Sequence, residues 1–116
     1  MNSPLDSKEY ARQLLTQMRK GFLVYCVLQI CSKGDVYSTD IIQRLHNAQL
    51  IVVEGTIYPL LSRLQKDGIL EHSWHESDKG PPRKYYHLSA EGKEILHELK
   101  IRSNQMRSAI DAIEKE

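Results

Sequence analysis

Cysteine, tryptophan, phenylalanine and net charge are all scarce in this 116-residue chain: two Cys, one Trp, one Phe, and a formal charge of only +1. Cys26 and Cys31 lie five apart in a helical stretch and point to different sides, which excludes a disulfide framework and a CxxC redox site. The expectation for both is a buried, inert thiol. Long hydrophobic runs are missing too. The longest, Gly21 to Cys31, is broken by Gln29 and is too short to cross a bilayer. The N-terminus lacks the basic, apolar and small-residue order of a signal peptide, so a cytoplasmic protein is expected.

The sequence holds no glycine-rich phosphate loop, no nucleophile elbow and no patterned pair of carboxylates. Its five histidines (His46, His72, His75, His87, His97) are scattered, and no His/Cys/Asp/Glu set has metal-ligand spacing. No catalytic residue, metal site or cofactor is therefore expected, and the chain is read as a non-enzyme. No block of like charge or low-complexity run argues against folding, and 41% hydrophobic content suits a single compact core.

Several helical signals are present. Ser3 stands as an N-cap, Pro4 at the first helical position and Asp6 in the first turn, ahead of Tyr10, Ala11, Leu14, Leu15 and Met18 at helical spacing. The stretch from Phe22 to Cys31 is almost wholly apolar and predicts a core helix buried on most sides, with Gly21 as a break and Gly34 as a stop. "YSTDIIQRLHNA" predicts a short amphipathic helix capped by Ser38 and closed by an Asn-Ala-Gln turn. In "VVEGTIYPLLSRLQKDGIL", Ile57, Leu60, Leu61 and Leu64 form an apolar stripe, and Gly68 with Ile69 reads as a C-cap.

With that stripe turned to the core, Thr56, Tyr58, Ser62, Arg63 and Lys66 fall on the exposed face, a set of hydroxyls and cations suited to phosphates and base edges. Pro59 removes a donor from the helix and predicts a distorted first turn around Gly55. After Gly68 the period changes from helical to alternating. "ILEHSWHE" and "RKYYHLS" read as two strands flanking the loop "SDKGPP", where Gly80 supplies an unusual backbone angle and two prolines stiffen the return. Lys79, Arg83 and Lys84 are thus presented on a stiff tip. Tyr85 and Tyr86 must face opposite sides of their strand.

From Ser89 onward a capped helix runs to the C-terminus. Ile95, Leu99, Arg102, Met106, Ala109 and Ile113 recur every three to four residues, the spacing of a helix–helix seam. Nothing earlier in the chain requires so long a helix, so its apolar positions, including Ile110, are read with Leu14 and Met18 as a homodimer interface. The chain divides into residues 1–89, a DNA-binding unit with its N-terminal helix, and 90–116, a dimerisation helix.

"RKGFLVYCVLQI", "VYSTDIIQRL", "VEGTIYPLLSRLQKDGIL" and "GPPRKYYHLSAEGKEIL" together resemble, in order and spacing, the PadR family of bacterial transcriptional regulators over about residues 19 to 100. The resemblance implies a mainly α fold with a small β-hairpin: a winged helix-turn-helix with N- and C-terminal dimerisation helices. It also implies a homodimeric repressor that binds promoter DNA and answers to a small-molecule effector. Carried over, Thr56, Tyr58, Pro59 and Arg63 belong to the recognition helix, and Arg83 and Lys84 to the wing. Ser38 joins them as a DNA-contacting residue at the start of the preceding helix. Some small members stack flat drugs on a Trp of the C-terminal helix, but "LKIRSNQMRS" has none, and no residue here specifies an effector. The near-zero net charge keeps a second reading open, a winged-helix module that binds a protein or ligand and uses DNA little.

Overall fold

The computed structural model describes residues 6–50, 52 and 54–116. The chain runs α1 (Ser7–Cys31), β1 (Val36–Tyr37), α2 (Ser38–Asn47), α3 (Glu54–Lys66), β2 (Leu70–Ser77), β3 (Gly80–Leu88) and α4 (Ala90–Glu114). The strands form one antiparallel sheet in the order β1-β3-β2, so the expected hairpin gains a third strand. The mainly α winged-helix architecture is as expected.

Ser3 and Pro4 lie outside the described residues. Asp6 is the N-cap of α1 rather than a first-turn residue, its carboxylate accepting from the N–H groups of Lys8 and Glu9. Gly21 does not break the helix, which passes through it without interruption. Leu23, Val27, Leu28 and Cys31 are buried at helical spacing, while Phe22 is exposed and Val24, Tyr25 and Cys26 are half-buried. From Leu23 to Cys31 no residue is fully exposed, Val24, Tyr25, Cys26 and Ile30 packing against the core beside the buried four, so the apolar run is covered on most sides as expected and only Phe22 at its start is exposed. Cys26 is correspondingly half-buried.

β1 extends Tyr37 through its pairing with Tyr85, and this sets where α2 can begin. Tyr37 becomes the N-cap, with no side-chain hydrogen bond to the first turn, and Ser38 is the first helical residue instead of the cap. α2 is closed by Ala48 and by Gln49 at φ 67°, after which the Leu50 N–H reaches the Leu45 carbonyl at 2.8 Å. α3 ends as its sequence predicts. Gly68 sits at φ 79°, its N–H donating to Gln65 O while the Ile69 N–H donates to Leu64 O, a Schellman closure. Between these ends α3 is helical throughout, Pro59 included.

The wing turn is tighter than its sequence suggests. Ser77 pairs with Gly80, leaving only Asp78 and Lys79 between β2 and β3. Gly80, Pro81 and Pro82 lie within β3, and Gly80 does not take a positive φ. Two prolines are tolerated there because β1 pairs only as far along β3 as Tyr85, so the tip of β3 has a free edge.

The core joins Leu28 of α1, Ile41 and Leu45 of α2, Ile57 and Leu61 of α3 and Leu70 of β2, with Tyr86 and Leu88 closing it from β3. Each such aliphatic side chain contributes about 1.5–3 kcal/mol through burial. α4 starts from this core. The Ser89 hydroxyl lies 2.7 Å from Gly68 O and 3.1 Å from Ile69 O, and accepts from the Gly92 N–H. The end of α3 is thereby tied to the beginning of α4.

Candidate nucleic-acid interface

Burial of Ile57, Leu60, Leu61 and Leu64 rotates α3 so that Thr56, Tyr58, Pro59, Ser62, Arg63 and Lys66 are all exposed. Beside this face stands the wing. Gln65 Nε2 contacts His72 Nδ1 at 2.6 Å, joining the last turn of α3 to β2. His72 meets Trp74 edge-on, with ring centroids 6.0 Å apart. Trp74 pairs across the hairpin with Lys84, and the Lys84 ammonium lies 5.3 Å above the Tyr86 ring. Lys84 also approaches Ser62, Gln65 and Lys66, which brings wing and helix cations to one side of the molecule.

Arg83 and Lys84, adjacent in sequence, stand on opposite faces of β3 because strand side chains alternate. Lys84 faces the Trp74 side. Arg83 pairs with His75 and packs its guanidinium 5.1 Å from the Tyr37 ring centroid. Tyr85, half-buried, stacks on His75 at 4.3 Å and meets Tyr37 at 5.6 Å, while Tyr86 is in the core, the division expected of neighbouring residues. These aromatic contacts hold the cations in place at a modest cost in side-chain freedom. Lys79 is exposed in the wing turn.

The base of the wing is fastened by Asp35, from the loop before β1. Its carboxylate lies 3.0 Å from His75 Nε2 and 3.0 Å from His87 Nδ1, and Glu71 lies 3.5 Å from His87 Nε2. The His87 Nδ1 contact lacks hydrogen-bond geometry. Among the described residues no group of His, Cys, Asp and Glu is arranged to hold a metal ion.

Between the start of α2, the exposed side of α3 and the wing runs a groove of about 460 Å³. Tyr58 and Trp74 line it with Lys79 and Lys84 of the wing; Arg83 also borders it, with its guanidinium over Tyr37, and the lining holds no carboxylate. Ser38 lines it as well and is buried. Trp74, 63% exposed, is the member of this surface that sequence reasoning left out. Its signal was a large aromatic on a strand among polar neighbours.

Residues 27–98 match the model of the transcriptional regulator PadR-like family. The chain belongs to that family. It is similar to a PadR-like transcription factor from Bacteroides fragilis, at 46% identity and TM-score 0.73, over 87% of this chain and 98% of that one. A PadR-like regulator from Bacillus cereus shares 38% identity at TM-score 0.77, over 84% and 95% of the two chains. One from Eggerthella lenta, 24% identical over 92% and 94%, superposes at TM-score 0.83 and shows the shared fold. Family membership makes this PadR-like protein a transcriptional regulator and not an enzyme, with α3 and the β2–β3 wing in the winged-helix arrangement.

The residues expected to form a dimer seam fall into two sets. Leu14 and Met18 on α1, and Ile95, Met106, Ile110 and Ile113 on α4, are exposed. Leu99 is half-buried against the domain's own core. No described helix is long and apolar enough to cross a membrane.

Proposed function

We propose that this PadR-like regulator is a repressor that binds a promoter operator as a homodimer and is released by a small-molecule effector. The observation that carries the reading is that Tyr58, Ser62 and Lys66 of α3 meet Lys79 and Lys84 of the wing in two hollows that share Lys84 and hold no carboxylate, while Thr56, Pro59 and Arg63 face the α1 side of the same exposed surface. α3 enters the major groove with Thr56, Tyr58, Ser62 and Arg63 towards base edges, Pro59 shaping its first half and Lys66 on the backbone. Lys79, Arg83 and Lys84 hold phosphates beside it. A net charge of +1 does not oppose this, because backbone affinity follows the local arrangement of cations.

The division of labour falls at Ser89, with residues 1–89 reading DNA and 90–116 pairing protomers. The exposed apolar faces of α1 and α4 support a dimer, since a monomer would leave both in water. An effector acts on such a dimer by favouring one spacing of the two recognition helices, which must match major grooves roughly 34 Å apart.

Fluorescence anisotropy with a duplex from upstream of the protein's own gene, beside a scrambled duplex, tests the reading. A specific complex that weakens about 10³-fold between 50 and 200 mM salt is expected. Equal, weak binding to both duplexes would favour the protein- or ligand-binding module.

A further inference from the structure

The face of the sheet opposite the core residue Tyr86 carries a row of polar side chains. Glu71, Ser73 and His75 of β2 lie there across from His87, Tyr85 and Arg83 of β3, with Asp35 and Tyr37 alongside. This row crosses the joint between the wing and the helix-turn-helix. β1 is only two residues long, so its backbone ladder to β3 is a slender connection. Asp35 is the residue just before it, and Tyr37 at its other end is the N-cap of α2. Whatever holds Asp35 to the wing therefore sets where α2 stands against it.

Asp35 meets one histidine on each oxygen: His75 Nε2 at 3.0 Å on one, His87 Nδ1 at 3.0 Å on the other. His75 Nε2 also lies 3.1 Å from the Ser73 hydroxyl, and a neutral ring with hydrogen on that nitrogen can donate to the carboxylate. His87 is placed differently. Its Nδ1 is buried without a hydrogen bond, and its Nε2 stands 3.5 Å from Glu71, so each ring nitrogen faces a carboxylate. A neutral imidazole bears hydrogen on one nitrogen only, and in either tautomer a bare lone pair is turned to a carboxylate oxygen. Imidazolium presents a hydrogen to both. The other charge near the row is Arg83, paired in register with His75 and lying over Tyr37, which opposes a proton on His75 more than on His87. The ion pairs of α1 and α4, Arg12–Glu9 and Arg102–Glu98, stay within those helices.

We propose that His87, held between Asp35 and Glu71, is a proton-operated latch that fixes the wing against the helix-turn-helix and loosens as the imidazolium loses its proton. Its consequence for DNA rests on the DNA-binding reading above; the latch itself does not. Histidine changes charge between about pH 5 and 8, so the wing is fastened at the acid end of that range and freer at the alkaline end.

Two measurements test this, one without DNA. Amide hydrogen exchange of β1 and the part of β3 opposite it, corrected for the intrinsic pH dependence of exchange, is compared at about pH 5.5 and 8. Protection is expected to fall about threefold in the wild type, the scale of one partly exposed ion pair, and to stay level in His87→Gln. Duplex affinity, followed by anisotropy at constant ionic strength, should likewise fall about threefold more in the wild type than in His87→Gln. Asp35→Asn separates the latch from bulk charge. Removing that negative charge would tighten binding at every pH if charge alone mattered, whereas the broken latch should weaken it about threefold at the acid end. Equal pH profiles in wild type and His87→Gln, or tighter binding by Asp35→Asn at the acid end, would overturn the latch and leave the DNA-binding reading standing. Absence of duplex binding by the wild type would overturn that reading, and the exchange measurement would still decide the latch.

Discussion

Gly92 has no room for a side chain. A Cβ built there would collide with the Ile69 carbonyl oxygen and stand 3.3 Å from Ser89 Oγ. The oxygen is backbone at the end of α3 and already receives the Ser89 N–H at 3.0 Å, so it cannot swing aside as a flexible side chain would. Gly92→Ala, which would favour an ordinary helix, is therefore expected to destabilise this one by about 1–3 kcal/mol, read as a lower urea midpoint. An unchanged midpoint would show that α4 can shift away from Ile69 freely.

Cys31 is the other residue with a clear outcome. Burial pushes its thiol up to about 12, against a smaller downward pull from Arg44, and burial also raises Cys26, offset in part by Arg107. The native protein should therefore leave Cys31 unmodified by a thiol reagent at pH 8 until denaturant is added. A group whose native pKa is raised contributes stability in full below its unfolded pKa and loses it as pH climbs through the native one. The Cys31 contribution is thus complete below pH about 8.5 and declines towards 12. Cys31→Ala should flatten the alkaline part of the stability profile, and an unaltered slope would place the ionisation elsewhere.

At the scale of elements, the recognition surface is a pairing of α3 with the wing. Gln65 and His72 join the two, and the strand alternation that separates Arg83 from Lys84 lets one cation face α3 while the other lies along Tyr37. Each is expected to make its own phosphate contact. The double variant Arg83→Ala/Lys84→Ala should weaken binding to all sequences alike and reduce the slope of log affinity against log salt by about 2. A loss confined to one sequence would make the wing a base reader.

The whole molecule has a radius of gyration of 17.5 Å and extents of 58 × 35 × 24 Å. A compact domain of this length would have a radius of about 13 Å. The excess comes from two 25-residue helices whose exposed residues include Leu14, Met18, Met106 and Ile110. A chain of 13.4 kDa built this way is expected to sediment as a dimer at micromolar concentration, and Met106→Glu with Ile110→Glu to shift it to the monomer mass. A monomeric wild type would remove the dimer from the mechanism.

The sequence by itself determined what depends on near neighbours: the helical stripe of α3, its Gly68 terminus, the two long wing strands and the motifs that mark the family. Side chains three, four or two positions apart share a face whatever the rest of the chain does, so periodicity suffices for them. Tertiary structure decided what depends on distant partners. β1 exists only because Val36 and Tyr37 meet Tyr86 and Tyr85, and that pairing moves the α2 cap from Ser38 to Tyr37. Asp35 meets His75 across 40 positions, Gly92 meets Ile69, and Ser38 and Trp74 come to one groove. No local pattern encodes these meetings, because they are set by how the packed core folds the chain back on itself.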